Sequence, residues 1–189
     1  MTKKELRNIY KQKRLSLEHS NKLRLDDLML IQFQQLNFQS IHSVMSYWPI
    51  TNFNEPNTHI FTRYLKHMLP GLQIAYPVTN FNNHSMQAHL THDDTVFINN
   101  QYGLTEPKTG VVIQPFDIDL VFVPLIAFDE KGYRVGYGKG FYDRFLINCH
   151  QETLAIGFSY FEAVDRIDDT NQFDVPLDYC ITPDNIYEF

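Results

Sequence analysis

Two hydrophobic periods alternate along the chain. Thr2 and Glu5 have the spacing of a capping box, and apolar positions recur at helical steps from there to about Leu17, predicting a first helix. Ser20 can cap a second helix, in which Leu23, Leu28, Ile31 and Leu36 recur at three- to five-residue steps. His42 to Trp48 is short, β-branched and aromatic and is closed by Pro49, which predicts a strand and then a loop through Asn54. A third helix is expected from about Pro56, a residue suited to a first turn, to Met68, with Gly71 near its end. Gln73 to Val78 reads as the next strand.

Asp119 to Val123 and Thr153 to Phe158 are apolar runs after their first residue, of the length of strands buried on both faces. Between them Tyr142, Phe145, Leu146 and Cys149 follow the i, i+3, i+4, i+7 rule of a helix. Residues 79 to 118 carry scattered Asn, His, Thr and Pro, which predicts irregular or edge-strand structure. Helices alternating with continuous apolar strands give an α/β fold, a three-layer αβα arrangement with a mostly parallel central sheet, and ligands then bind beyond the carboxyl ends of the strands. With 189 residues, a single domain spanning 1–189 is the expectation.

Composition narrows the function classes. A chain with 43% hydrophobic and 20% charged residues has the balance of a globular protein. The net charge of −6 is the wrong sign for a phosphate-backbone binder, so no nucleic-acid partner is expected. The basic N-terminus lacks a following apolar stretch, and the longest apolar run, Val121 to Phe128, is broken by Pro124, so neither export nor a membrane partner is expected. Cys149 and Cys180 do not make a disulfide scaffold or a zinc pattern, which fits a reducing cytoplasm. The eight histidines form no triad. A monomer is the default.

The chemistry concentrates in VPLIAFDEKGYRVGYGKGFYDR, residues 123 to 144, which leaves a buried strand, makes a long loop and enters a helix. Gly136, Gly138 and Gly140 alternate through the turn, so backbone N–H groups can approach an anion, and Arg134 and Lys139 bracket them with full charges. The spacing fits neither a P-loop, because Gly140 follows Lys139, nor the dinucleotide fingerprint, because Phe141 stands where a third glycine is needed. A flexible turn remains the plain alternative. On the first helix Lys3, Arg7 and Arg14 fall within about 40° of one another, bordering the apolar face of Leu6, Tyr10 and Leu17. That stripe either reaches into a cleft or is a solvated basic face with Lys11 and Lys13.

Asp143 is a cap-region charge or a Mg²⁺ ligand, since Mg²⁺ is commonly held by one or two carboxylates together with phosphate and water. Trp48 either packs in the core or stacks on a flat heterocycle at a strand end. Glu55 is either a charge near a helix start or an acceptor for the paired N–H donors of an amino-pyrimidine.

With these residues in place the chain resembles the 5-formyltetrahydrofolate cyclo-ligase family. The resemblance rests on KKELR near the start, Tyr47 to Pro49 with Glu55 and Thr58, YGLTEP at 102 to 107, the 123–144 segment, and the terminal FDVPLDYCIT. It implies ATP as co-substrate, Mg²⁺ as cofactor, and conversion of 5-formyltetrahydrofolate to 5,10-methenyltetrahydrofolate with release of ADP and phosphate. By motif position it assigns ATP contacts to Lys3, Lys4 and Arg7 and to Arg134, Val135, Gly136, Tyr137, Gly138, Lys139, Gly140, Phe141 and Tyr142. It assigns folate contacts to Trp48, Glu55 and Tyr137 through Phe141, and the metal to Asp143 and Asp174. Arg134 and Lys139 become the catalytic cations. The loop from Trp48 to Glu55 is longer than the family's usual form, and Phe173 precedes Asp174 where His or Asn is usual. Two other readings stay open: a non-catalytic ATP- or folate-binding module, and a sugar-phosphate or thioester enzyme using the same loop.

Overall fold

The computed structural model describes residues 1–189. Helix α1 (Lys3–Leu15) begins as the capping box predicts: the Thr2 N–H donates to Glu5 Oε2 at 2.9 Å, and Glu5 N–H donates back to Thr2 Oγ1 at 3.4 Å. Helix α2 (His19–Phe33) departs from expectation in two ways. Its N-cap is Glu18, with Ser20 already inside the helix, and it buries Asp26, Met29 and Phe33, while Leu23 and Ile31 face solvent. A continuous spread of leucines hid the true face. What selects it is Asp26, which accepts from the Tyr160 hydroxyl at 2.7 Å, from Lys22 Nζ at 2.8 Å and from Asn57 N–H at 3.1 Å, so its burial leaves no lone charge.

Strand β1 (Ser43–Met45) is shorter than the apolar run predicts. A single 3₁₀ turn at Thr51–Phe53 follows and ends at Asn54, in the left-handed region at φ 48°. Helix α3 (Thr58–Met68) starts after Asn57, which places Pro56 outside the helix instead of in its first turn. Strand β2 (Gln73–Asn80) turns back into β3 (Ser85–Thr91), so part of the segment read as irregular is a long antiparallel hairpin. The rest supplies the two-stranded β4 (Phe97–Asn99) and β5 (Thr105–Pro107), then β6 (Val112–Ile113).

Strand β7 (Leu120–Val123) lies where the sequence puts it; β8 (Ala127–Phe128) and β9 (Arg134–Val135) then form a tight hairpin. Helix α4 (Phe141–Leu146) is only six residues long, ending before Cys149. β10 (Leu154–Phe158), β11 (Tyr179–Ile181) and β12 (Ile186–Glu188) complete the main sheet. Its order is β12-β11-β10-β7-β1-β2-β3-β6. The central run β11, β10, β7, β1, β2 is parallel, and the antiparallel pairings are confined to the edges, so the mostly parallel sheet holds.

The two sheet faces are covered differently. On one, Val44, Leu120, Phe122, Ile156 and Phe158 meet Met29 and Phe33 of α2 and Phe61 and Leu65 of α3. Phe61 and Phe158 stack there at 4.0 Å, and truncating either ring to alanine is expected to cost about 3–5 kcal/mol. On the other face Met45, Val121, Val123 and Ala155 meet Phe145 and Leu146 of α4 together with Leu125, Phe128 and Leu177 from loops and the β8–β9 hairpin, so that helical layer is thin. Gly157 permits this covering: a Cβ there would stand 2.4 Å from Leu125 and 2.8 Å from Leu177. Helix α1 packs Leu6 against Ala127, Val135 and Ile167, and so lies across the carboxyl end of the sheet. No helix is long and apolar enough to cross a membrane.

Candidate functional site

Beyond the carboxyl ends of β1 and β7 the chain leaves a cleft of about 760 Å³. Pro124 follows β7 into it, Tyr47 and Trp48 follow β1, and α1 brings Lys3, Lys4 and Arg7 across the top. Arg134, Gly136 through Tyr142, Asp143, Asp174 and Glu55 also line it, so segments more than a hundred residues apart in sequence share one hollow. Val135 is the exception among the residues singled out by motif. It is fully buried in the cluster with Leu6 and Ala127, and its carbonyl accepts from Ile126 N–H at 2.7 Å.

Charge in the cleft is unevenly satisfied. Arg134 is buried; one terminal nitrogen donates to Asp143 Oδ1 at 2.8 Å and the other to the Val175 carbonyl. Burial lowers its guanidinium below the ordinary arginine value, and the Asp143 charge works against that shift. Lys3 Nζ donates to Asp174 Oδ2 at 2.5 Å. Lys4, Arg7 and Lys139 form no ion pair. Arg7 is oriented by its Nε–H, which donates to the Gly136 carbonyl at 2.9 Å and leaves its terminal nitrogens free toward the loop. Three cations without an ion-pair partner thus stand around one glycine-rich turn, in a cleft that Glu55, Glu106, Asp143, Asp169 and Asp174 also line, and the turn is the place where they favour an anion. Two of the turn's three glycines are required by the backbone: Gly138 and Gly140 have φ of 89° and 67°, whereas a Cβ on Gly136 would meet nothing within 4 Å. With α4 so short, side-chain cations and loop N–H groups carry this attraction more than a helix dipole does.

Arg14 separates from its stripe. It is 3% exposed, and it donates to the Leu125 carbonyl at 3.0 Å and to the Tyr137 hydroxyl at 2.7 Å, behind the cleft wall. Asn54 Nδ2 donates to the Arg14 carbonyl at 3.1 Å and folds the 48–55 loop over this end of α1. The Tyr137 hydroxyl in turn donates to Glu55 Oε1, and the Ile50 N–H donates to Glu55 Oε2 at 2.6 Å. Burial raises the Glu55 carboxyl above its ordinary value, opposed by those two hydrogen bonds and by the Arg14 charge. Burial, with the Glu55 charge second, pushes the Tyr137 hydroxyl up, so it stays a donor.

Aromatic rings fill the remaining wall. Trp48 is partly exposed at the cleft, outside the core, and packs one part of its ring on His59 at 4.6 Å and Phe97 at 4.7 Å. Phe53, from the long 48–55 loop, stacks on Tyr137 at 5.6 Å. Phe81, Tyr102, Leu104 and Glu106 also line the cleft. Tyr102, Leu104 and Glu106 belong to the YGLTEP motif, to which the sequence assigned no site role, and Phe81 to none; they come from two hairpins that only the tertiary fold brings together.

A mostly parallel sheet carrying a cationic glycine loop at its carboxyl edge defines an α/β protein with a charged cleft at the strand ends. The chain belongs to the 5-formyltetrahydrofolate cyclo-ligase family, whose profile it matches over residues 1–183. It is similar to the 5-formyltetrahydrofolate cyclo-ligases of Haemophilus influenzae, 42% identical over 44% of this chain and 46% of that one, and of Escherichia coli K12, 34% identical over 52% and 56%. These two matches span about half the length of those relatives. A third, with the Mycoplasma pneumoniae protein of the same name, is 29% identical over 96% of this chain and 98% of the other. Among solved structures it resembles the 5,10-methenyltetrahydrofolate synthetase of Aquifex aeolicus, with a TM-score of 0.82 and 29% identity over 100% of this chain and 93% of that one. The corresponding Mycoplasma pneumoniae structure gives 0.76 and 26% over 97% and 99%.

Proposed function

We propose that this chain closes 5-formyltetrahydrofolate to 5,10-methenyltetrahydrofolate with ATP, releasing ADP and phosphate, in a reducing cytoplasm. The observation that carries the proposal is the convergence of unpaired Arg7, Lys4 and Lys139 on one cleft that also holds the buried acceptor Glu55. A formamide oxygen is a poor leaving group. The formyl oxygen attacks the γ-phosphorus, the bond to ADP breaks, and the oxygen becomes part of a phosphate ester. N10 then attacks the formyl carbon and loses its proton, and the C–O bond breaks to release inorganic phosphate. Such a sequence needs positioning and charge stabilisation more than covalent help from the protein.

Lys3, Lys4 and Arg7 would hold the nucleotide phosphates, with Gly136, Gly138 and Gly140 opening backbone N–H groups to them and Phe141 and Tyr142 closing the loop. Lys139 neutralises the transferring phosphoryl group. Both terminal nitrogens of Arg134 are committed, so it contributes charge from behind Asp143 and orients that carboxylate. Asp143 Oδ2 and Asp174 Oδ1 accept no hydrogen bond within the chain. Two such oxygens suit Mg²⁺, which takes its other ligands from phosphate and water. When bound, it offsets the negative charge on the phosphates. On the other side Trp48 offers a face to the pterin, and Glu55, braced by Tyr137, accepts its N–H donors.

The Glu55 reading gives a pH dependence. Only the carboxylate accepts from two donors, so the folate KM rises as pH falls toward the folded-state value, which burial sets above 4.5. The raised value also means that the neutral form is favoured by folding. That stability contribution is full below about pH 4.5, the unfolded value, and is lost as pH rises through the folded one. E55Q is expected to raise the folate KM at neutral pH and to flatten both profiles. A KM that keeps its wild-type pH profile in E55Q removes Glu55 from folate recognition.

The direct test is optical. Methenyltetrahydrofolate absorbs in the near ultraviolet where the formyl substrate does not, so the band should grow only with ATP, Mg²⁺ and substrate all present. ATP binding without that growth would identify a binding module.

A further inference from the structure

The β4–β5 hairpin shares no backbone ladder with the main sheet. It is fastened to it by the side chain of Glu106, which is 7% exposed. Oε1 accepts from the Thr79 N–H at 2.8 Å and the Thr79 hydroxyl at 2.6 Å, both on β2, and Oε2 accepts from Asn100 Nδ2 at 2.9 Å. Asn100 Oδ1 then accepts from the Tyr102 N–H at 2.9 Å and the Leu104 N–H at 3.0 Å, shaping the hairpin tip. Each end of this relay carries a ring. Phe81, two residues beyond Thr79, stacks on Tyr102 with centroids 3.6 Å apart and planes 24° apart. Phe81 also meets Phe141, the residue after the glycine loop, edge-on at 5.1 Å.

We propose that Glu106 is a positioning residue for the folate: it locks the two hairpin tips so that the Phe81–Tyr102 pair forms a fixed wall for the aminobenzoyl ring of the substrate. The inference rests on the ring-closing reading above. The aminobenzoyl ring is attached to N10, the atom that must reach the formyl carbon, so a wall that holds the ring also places the nucleophile. An aromatic pair accepts a flat ring without charge, and its geometry matters only if both rings are pinned. A buried carboxylate with three donors can pin them; an amide cannot, because its NH₂ would face the Asn100 NH₂.

The test is a charge-swapped cycle. E106Q is expected to raise the folate KM about tenfold or more, the scale of losing a charge-assisted hydrogen bond, and to leave the ATP KM within about twofold. In the E106Q/N100D double variant the new amide can donate to the new carboxylate, whose other oxygen still accepts from Tyr102 and Leu104, so the folate KM should return toward wild type. Y102A, at a half-exposed position that tolerates truncation, should show the same KM split without loss of the thermal transition, and it carries the test if E106Q fails to fold. An unchanged folate KM in E106Q or in Y102A, or equal rises in both KM values, overturns the inference. Absence of turnover in the wild type would instead overturn the ring-closing reading.

Discussion

Replacing Lys139 by alanine is expected to lower turnover about 10²–10³-fold, the usual loss when one preorganised donor to a developing charge is removed. Its stability stays within about 0.5 kcal/mol of wild type, because the side chain is exposed and forms no ion pair. The lysine therefore contributes little to folding, and its charge is free for a ligand. The loss should fall on kcat, with a smaller change in the ATP KM, because on the proposed reading Lys3, Lys4 and Arg7 would still hold the nucleotide. K139A with wild-type turnover would leave the glycine loop without its catalytic charge.

Arg134→Ala is expected to have the opposite profile, with activity and stability falling together. The substitution strands Asp143 beside the cleft and leaves the Val175 carbonyl without its donor. Removing one partner of a buried pair typically costs about 3–5 kcal/mol, and the lower figure suits this pair because Asp143 keeps some solvent access. The denaturation midpoint should drop clearly. Asp143, then held only by the Val175 N–H, should also require more Mg²⁺ for half-maximal rate, while D143N should lose Mg²⁺ response and stability too, because it leaves the buried Arg134 charge without its counter-ion. An R134A protein with normal midpoint and normal Mg²⁺ response would show that the pair serves neither purpose.

The elements legible in the sequence were those whose signal is local. The Thr2–Glu5 box marks the start of α1 to the residue, although the helix ends at Leu15 and not near Leu17, and the apolar runs of β7 and β10 identify the parallel core. The short antiparallel edges were not legible, because β4, β5 and β6 span two or three residues each and carry no periodicity. In α2 the leucine spacing pointed to a face that is solvent-exposed; the face is chosen by Asp26, whose partners Asn57 and Tyr160 come from elsewhere in the chain. The same division runs through the site. The glycines and cations of the 134–143 turn are contiguous, and their convergence with Lys3, Lys4 and Arg7 follows from α1 crossing the sheet end. Arg14 shares the helical stripe but lies beneath Tyr137, because the 48–55 loop closes over that end of α1. Glu106 stood in the YGLTEP motif without a role for a related reason: what makes it a fastening point is a bare backbone N–H at Thr79, which only the folded hairpin presents to it.

All of the proposed chemistry passes through transfer of the γ-phosphoryl group to the formyl oxygen. Substrate carrying ¹⁸O in its formyl group, turned over with ATP and Mg²⁺, tests this by mass analysis of the released phosphate. The label is expected in inorganic phosphate, one atom per turnover. Label recovered in water, with unlabelled phosphate, would show that the ring closes without phosphorylation of that oxygen.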